Sequence, residues 1–229
     1  MYFTDTPALN SIEAIMEKLP YGTQRGGGKN RSPYKYTKKD CDCRFCLYHS
    51  KKDGCIMEVC PVLDIRLSCG AASLGEAALA AYHGTGHPAF QRRLHQIYKQ
   101  KKDGGSMPYQ SETHKRIFET QILTLRNPDK KTLAMLYLLT ADHTLWIKTK
   151  RHIGKTGKVD LQNVRLGDIS TDGYALWKAG KELQTGEKQI SLCELADGGI
   201  ISDRVFRLIV QAGAIARFGS LAPKKELEE

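Results

Sequence analysis

The feature that most restricts the fold of this chain is an apolar run near its middle, LAMLYLL at residues 133–139. A surface helix alternates apolar and polar residues so that one face meets water, whereas a helix that is apolar all round must be covered on every side. The run lies within the segment 127–148, where Asn127 before Pro128 is typical of a helix start. The sequence therefore predicts that 127–148 is a central helix buried among others.

Helical patterns on both sides of this run indicate the elements that would cover it. Apolar residues recur there at intervals of three and four, and Ser73 with Glu76 has the spacing of a capping box. The predicted helices are 8–19, 73–83, 88–100, 111–125, 170–186, 191–198 and 202–219, with a loop or short hairpin over 152–164. In the segment 170–186 the pattern directs Tyr174 and Trp177 toward the core. The predicted fold class is mainly α.

The chain divides into two regions of different composition. Residues 1–70 are rich in turns and cysteines, whereas residues 71–229 carry almost all of the helical patterns. The segment 101–110, with its lysines and glycines, is a possible further boundary within the helical region. The sequence thus predicts an N-terminal module, residues 1–70, on a helical body formed by residues 71–229.

The cysteines are crowded into one short stretch, because five of the seven lie between residues 41 and 60. Two of them are separated by two residues and two by four, and Asp53–Gly54 is a turn sequence that would return the second pair to the first. Zinc takes four thiolate or imidazole ligands in a tetrahedron, and a site closed by four protein ligands is structural. The predicted zinc ligands are Cys43, Cys46, Cys55 and Cys60. Such an ion would staple a module that has too few apolar residues to fold alone.

Other interpretations of this cysteine stretch stay open. Cys41 is the spare thiol, because Cys41-x-Cys43 is a less usual chelate. His49 is a further possible ligand, in place of Cys55 or Cys60. An iron–sulfur cluster also takes four cysteines, but the C-x2-C-x2-C spacing typical of it is missing. Five free buried thiols are the last alternative, and the polar character of the stretch argues against it.

The chain carries a formal net charge of +10, which favours a polyanionic partner such as nucleic acid, anionic lipid or an acidic protein, with a solubility margin as the alternative. The segment 25–39 holds six basic residues, no acidic residue and several glycines. We interpret it as a flexible arm that can contact phosphates. Its basic residues are Arg25, Lys29, Arg31, Lys35, Lys38 and Lys39. A second basic segment, 148–158, could add to the same surface.

No motif in the sequence indicates an enzyme. A phosphate-binding loop would need glycine at position 23 and serine or threonine at position 30, where the chain has Thr23 and Asn30. The two histidines of HGTGH, residues 83–87, fit a polar connection between helices better than a second metal site. The sequence also lacks an apolar run of membrane-spanning length and a signal sequence at its start. We therefore expect a cytoplasmic protein without catalytic activity and without membrane association.

Two stretches resemble proteins of bacterial mobile elements. CRFCLYHSKKDGCIMEVCPV, residues 43–62, is similar to a small four-cysteine module found near the start of such proteins. Residues from about 115 to 219, which include LAMLYLLTADHTLW and ISDRVFRLIVQAGAIARFG, resemble an uncharacterised family of short helical proteins from the same kinds of element. In general character, a basic, metal-stapled chain without an active-site motif resembles the zinc-containing type II-A anti-CRISPR proteins.

This last resemblance implies a function without implying particular binding residues. It implies direct binding to the Cas9 nuclease in the cytoplasm of a bacterial host, with DNA loading or cleavage blocked. Because this chain is basic and does not mimic acidic DNA, it would dock on an acidic or apolar protein surface. The alternative function is that of a nucleic-acid-binding accessory protein of a mobile genetic element, in which the arm 25–39 and the zinc module contact phosphates.

Overall fold

The computed structural model describes residues 36–50, 54–99 and 109–219. The predicted helix at 8–19, the arm residues Arg25, Lys29, Arg31 and Lys35, and most of the segment 101–110 lie outside these ranges. The described residues from Thr37 onward belong to one compact unit. The described residues on both sides of residue 70 are part of it, and the predicted division at that residue stays a prediction.

The described chain is mainly helical, as predicted. Its α-helices are α1 Leu63–Ser68, α2 Leu74–Ala81, α3 Pro88–Lys99, α4 Glu112–Leu123, α5 Lys130–Ala141, α6 His143–Thr149, α7 Thr171–Thr185, α8 Leu192–Ala196 and α9 Asp203–Phe218. Single 3-10 turns occur at Cys43–Phe45 and Lys150–His152. One antiparallel hairpin pairs β1, His49–Ser50, with β2, Gly54–Cys55. Within the described ranges, no helix combines the length and the apolar character needed to cross a membrane.

Helix α5 forms the centre of the body, which confirms the prediction from the apolar run. Every residue from Ala134 to Ala141 is buried. Helices α9 and α7 pack on it most extensively, and α4 and α6 complete its cover. The facing side chains include Leu176 of α7 and Phe206 of α9, both fully buried. A helix that is apolar all round is stable here because neighbours cover it on all sides.

The segment 127–148 is two helices and not the single helix that its pattern predicts. The break falls at Asp142, whose backbone is extended (φ −119°, ψ 124°) and whose carboxylate accepts a hydrogen bond from the backbone N–H of Leu145 at 2.8 Å. The first helix also begins later than Asn127, because Asp129 is its N-cap and accepts from the N–H of Thr132 at 2.7 Å. An aspartate that satisfies the free N–H groups of a helix start favours a new helix over continuation.

The remaining helix predictions from residue 73 onward are confirmed to within two residues at each end. Serine explains most of the starts, since a serine precedes each of five helices and its hydroxyl accepts from the backbone N–H three residues on. These serines are Ser73, Ser111, Ser170, Ser191 and Ser202. The predicted capping box of Ser73 with Glu76 is present, and Ser191 forms a second one with Glu194.

Two details of the body differ from the sequence prediction. Helix α1, Leu63–Ser68, has no counterpart among the predicted helices, because its six residues are too few to show a periodic pattern. Tyr174 was expected to face the core with Trp177, but 48% of its surface is exposed, whereas Trp177 is buried. The two positions are three apart on α7, and the buried stripe follows Gly173, Leu176 and Gly180.

Candidate functional site

The first pair of predicted zinc ligands lies on one tight turn. Cys43 opens the 3-10 turn Cys43–Phe45, and Asp42 caps it by accepting a hydrogen bond from the backbone N–H of Arg44. The N–H of Cys46 then donates to the carbonyl of Cys43 at 3.0 Å. The N–H of His49 donates in turn to the carbonyl of Cys46, also at 3.0 Å. Two cysteines held on one reversed turn are a local geometry that suits metal chelation.

The hairpin that follows brings the second pair back toward this turn. His49 lies opposite Cys55 in the β1–β2 register, and the N–H of Ile56 donates to the carbonyl of Tyr48 at 3.0 Å. The turn predicted at Asp53–Gly54 falls partly on residues 51–53, which lie outside the described ranges. Cys60 follows and begins a turn. Its carbonyl accepts a hydrogen bond at 3.2 Å from the N–H of Leu63, which is the first residue of α1.

The four predicted ligands have the donor chemistry that zinc takes. In the part of the chain that the structure describes, no three His, Cys, Asp or Glu side chains are gathered so that they could hold a metal ion. Cys43 and Cys55 are exposed thiols, whereas Cys46 and Cys60 are half-buried. A zinc staple is therefore not shown, and the ligand set stays a prediction.

The structure brings together two cysteines that are not among the predicted zinc ligands. The sulfurs of Cys41 and Cys69 lie 3.4 Å from one another, and both residues are half-buried. Cys69 is the C-cap of α1, and its sulfur also lies 3.5 Å from the carbonyl oxygen of Arg66. Burial and the neighbouring Cys69 raise the pKa of Cys41 to about 11, so that its thiol is protonated at neutral pH. No local signal predicts this pair, because 28 residues separate its members.

Arg66 connects the cysteine stretch to helix α2. Its guanidinium lies 3.0 Å from Glu76 Oε1 and donates to the carbonyl of Ala71 at 3.2 Å. Burial lowers the pKa of Arg66, but interactions with Cys60, Glu76 and Cys43 outweigh it, and the net pKa is raised. Arg66 is therefore a residue through which α1 and the cysteine stretch contact α2.

The cysteine stretch also exposes large apolar side chains. Leu47 is 96% exposed, Phe45 83% and Ile56 66%. We call the following six side chains of this stretch the exposed apolar set: Phe45, Leu47, Tyr48, Ile56, Met57 and Val62. Among the described residues from α2 onward, the exposed large apolar side chains are Leu123, Ile147, Tyr174 and Ile200, which lie in separate parts of the chain. Apolar exposure concentrated in one segment is typical of an interaction surface.

Of the predicted arm, the structure describes Lys38 and Lys39, which are both exposed. The second basic segment, 148–158, lies next to basic residues from another part of the chain. The N–H of Arg126 donates to the carbonyl of Lys155 at 3.1 Å. Hydrogen bonds from Thr132 lower the pKa of Asp129 most, and Lys158 and Lys131 lower it further, which places both lysines near that carboxylate. The basic cluster on this side of the body is Arg126, Lys131, Lys155 and Lys158.

A glycine holds the basic loop against the start of α5. Gly157 has φ +84°, and a Cβ at this position would overlap the methyl group of Thr132 and lie 2.9 Å from Leu125. Only glycine combines this backbone conformation with such a close approach. The predicted loop or short hairpin over 152–164 is confirmed as a loop with one bridge between Ile153 and Val159.

A second sulfur contact joins the HGTGH loop to helix α8. Nε2 of His87 lies 3.2 Å from the sulfur of Cys193, while its Nδ1 accepts a hydrogen bond from the backbone N–H of Phe90 at 3.2 Å. The Phe90 bond places the proton of a neutral ring on Nε2, where it points at the sulfur. His87 therefore acts toward Cys193 as a hydrogen-bond donor and is not set up as a base. The pair was missed because 106 residues separate its members.

The chain matches no protein-family model, no curated protein and no solved structure.

Proposed function

We propose that this chain acts by binding a protein partner through its cysteine stretch, and that the partner is a nuclease of the Cas9 type, whose action the contact inhibits. The observation that carries the proposal is the exposed apolar set, in which Leu47 is 96% and Phe45 83% exposed. Burying a leucine or phenylalanine side chain against a partner contributes about 1.5–3 kcal/mol each. A segment that leaves such side chains in water gains stability when a partner covers them.

The choice of partner rests on the resemblance to type II-A anti-CRISPR proteins and on charge. A net charge of +10 suits an acidic surface next to an apolar contact. A few apolar anchors surrounded by charged residues form the usual arrangement of a tight protein–protein contact. Cys43 and Cys46 hold the turn that carries Phe45, so that a zinc ion bound there would also fix the contact surface.

The test compares two leucines that are almost equally exposed. Leu47→Asp places a charge in the exposed apolar set, whereas Leu123→Asp places one on α4, at a leucine that is 86% exposed. Substitutions of exposed side chains change stability little, so both variants should fold. We expect wild type and Leu123→Asp to inhibit Cas9 cleavage of a target duplex and to co-elute with Cas9, and Leu47→Asp to bind at least about tenfold more weakly, as expected for an interface anchor.

Two results would contradict this proposal. Unchanged cleavage and separate elution of the wild-type chain would exclude Cas9 as the partner. Equal inhibition by the Leu47→Asp and Leu123→Asp variants would exclude the exposed apolar set as the contact surface.

A second candidate function is favoured by the basic cluster. Arg126, Lys131, Lys155 and Lys158 come from two segments of the chain, which a backbone hydrogen bond from Arg126 to Lys155 joins, and Lys131 and Lys158 share one neighbouring carboxylate, Asp129. Phosphates of nucleic acid are the partners that such a cluster attracts. Under this proposal the chain is a nucleic-acid-binding accessory protein of a mobile element, with Lys38 and Lys39 as further phosphate contacts.

A further inference from the structure

We propose that Cys41 and Cys69 are a thiol-oxidation site, which a low-molecular-weight disulfide converts reversibly into an intramolecular disulfide bond. The inference does not depend on the proposed function, because it concerns the chemistry of two sulfurs within the chain. The predicted zinc ligands include neither Cys41 nor Cys69.

The geometry of the two sulfurs carries the proposal. They lie 3.4 Å apart, and a disulfide bond is about 2.05 Å long, so that the two sulfurs need to approach one another by only about 1.4 Å. Contacts of this kind between residues far apart in sequence do not arise from local chain geometry. The fold therefore holds the two sulfurs next to one another in the reduced protein.

The backbone on each side of the pair is held by hydrogen bonds. Before Cys41 the N–H of Asp40 donates to the carbonyl of Thr37 at 3.1 Å, and the N–H of Cys41 donates to the carbonyl of Lys38 at 3.3 Å. On the other side, the N–H of Cys69 closes the last turn of α1 on the carbonyl of Ile65 at 3.1 Å. Two thiols on fixed backbones have a high effective concentration for each other, which favours their pairing over pairing with other cysteines.

The reaction is a pair of thiol–disulfide exchanges with an external disulfide such as oxidised glutathione. The sulfur of Cys69 attacks a glutathione sulfur, a mixed disulfide forms on Cys69, and glutathione thiolate leaves. The Cys41 thiol then gives its proton to a base in solution and attacks the Cys69 sulfur of the mixed disulfide, which releases the second glutathione. The chain loses two electrons and two thiol protons, and glutathione disulfide is reduced to two molecules of glutathione.

The consequence of the bond is a closed loop that contains all four predicted zinc ligands. It would tie the turn that precedes the cysteine stretch to the C-terminal end of α1. Cross-linking two distant residues reduces the conformational freedom of the unfolded chain, so that oxidation should raise the melting temperature.

The experiment treats the full-length, reduced chain with oxidised glutathione at pH 8, traps free thiols with a maleimide, and maps disulfide-linked peptides by mass spectrometry. We expect a Cys41–Cys69 peptide as the main product, and a melting temperature several degrees higher than that of the reduced chain. Cys41→Ser and Cys69→Ser should each abolish the linked peptide and leave glutathione attached to the remaining cysteine. Cys193→Ser, which removes an exposed thiol elsewhere, should leave the linked peptide unchanged.

Three outcomes would overturn the inference. The first is a product in which the seven cysteines are paired without preference. The second is the absence of a Cys41–Cys69 peptide when other thiols are oxidised. The third is protection of this pair by added zinc, which would make the two sulfurs metal ligands. None of them bears on binding to Cas9, so failure of this proposal and failure of the proposed function are distinguishable.

Discussion

For a single residue, Arg93 shows how a buried charged group in the body is satisfied by partners that lie far along the chain. Arg93 of α3 is buried and donates to the carbonyl oxygens of Leu195 and Ile201 at 2.8 and 2.6 Å. Its guanidinium also pairs with Asp203 at 2.7 Å and lies over the ring of Phe206. A buried charge is costly unless it is paired and hydrogen-bonded. Arg93 meets both conditions, and it fixes the connection between α8 and α9.

His114 is the buried residue whose charge state should affect stability. Its Nε2 lies 2.9 Å from the carbonyl oxygen of Tyr137, and its Nδ1 accepts from the N–H of Gln110 at 3.1 Å. The rings of Tyr109, Phe118 and Tyr137 surround it. A neutral imidazole satisfies both bonds, whereas a second proton on Nδ1 would break the one from Gln110. Burial accordingly lowers the pKa of His114 to about 4.

We predict a loss of stability between pH 6.5 and pH 4 that depends on this histidine. In the unfolded chain the pKa of histidine is about 6.5, so the unfolded state takes up the proton first. The contribution is complete above pH 6.5 and is lost as the pH falls toward the folded pKa of about 4. The full loss corresponds to roughly 3 kcal/mol of unfolding free energy. Urea unfolding of wild type at pH 7, 6 and 5 measures it.

The matched variant for this measurement is His114→Gln, which keeps hydrogen-bonding groups and removes the titration. It should be less stable than wild type at pH 7 and should lose less stability between pH 7 and pH 5. The same slope in both proteins would show that other groups cause the pH dependence.

At the scale of elements, the body is held together where helices approach closely. Helix α9 packs on α5, α2 and α7. At its contact with α2, Arg217 donates to the carbonyl of Ala80 in the last turn of that helix at 2.8 Å. On the same helix Gly213 faces Tyr82, and a Cβ at this position would overlap the tyrosine hydroxyl. The ring of Tyr82 is itself packed against Phe90, with centroids 5.2 Å apart, so it has little room to move.

We predict that Gly213→Ala destabilises the protein by about 1–3 kcal/mol, the usual cost of overpacking a core. Gly180→Ala on α7 is the matched control, since its Cβ would make an ordinary contact, 3.4 Å from the flexible Met135 side chain. In a helix the change from glycine to alanine is otherwise favourable by about 1 kcal/mol, so the control should be neutral or slightly stabilised. Thermal unfolding measures the melting temperature of each variant. Equal melting temperatures of Gly213→Ala and Gly180→Ala would refute the close contact between Gly213 and Tyr82.

At the scale of the whole molecule, the net charge of +10 is the property that most affects its partners. If the chain binds nucleic acid, affinity should fall steeply as salt rises, with a slope that reports the number of phosphate contacts. We predict that Lys155→Ala and Lys158→Ala each lower this slope by about one unit, as the loss of one contact requires. Lys188→Ala, at an exposed lysine outside the basic cluster, should not change the slope.

Duplex binding at several salt concentrations measures these slopes. The absence of wild-type binding at the lowest salt concentration would eliminate the nucleic-acid function. Equal slopes for all three lysine variants would show binding that does not use the basic cluster.

Much of the helical body was predictable because its signals are local. The apolar run at 133–139 predicts a buried helix, and serine hydroxyls predict helix starts through hydrogen bonds that span three residues. The prediction went wrong at Asp142, where two local signals compete: the apolar periodicity continues, but the carboxylate caps a new helix. In the cysteine stretch, the antiparallel pairing of β1 with β2 reverses the chain within a few residues, and such a short-range feature agrees with the predicted return of the chain.

The helical class, the central helix and most helix boundaries therefore followed from the amino-acid sequence, since each depends on residues within a few positions of one another. Which distant side chains meet followed only from the packing of the helices. Cys41 contacts Cys69, His87 contacts Cys193, and Arg126 joins the basic loop, although nothing in the local sequence marks them as partners. The physical reason is that burial of the apolar helix faces selects the packing, and the packing then sets these contacts.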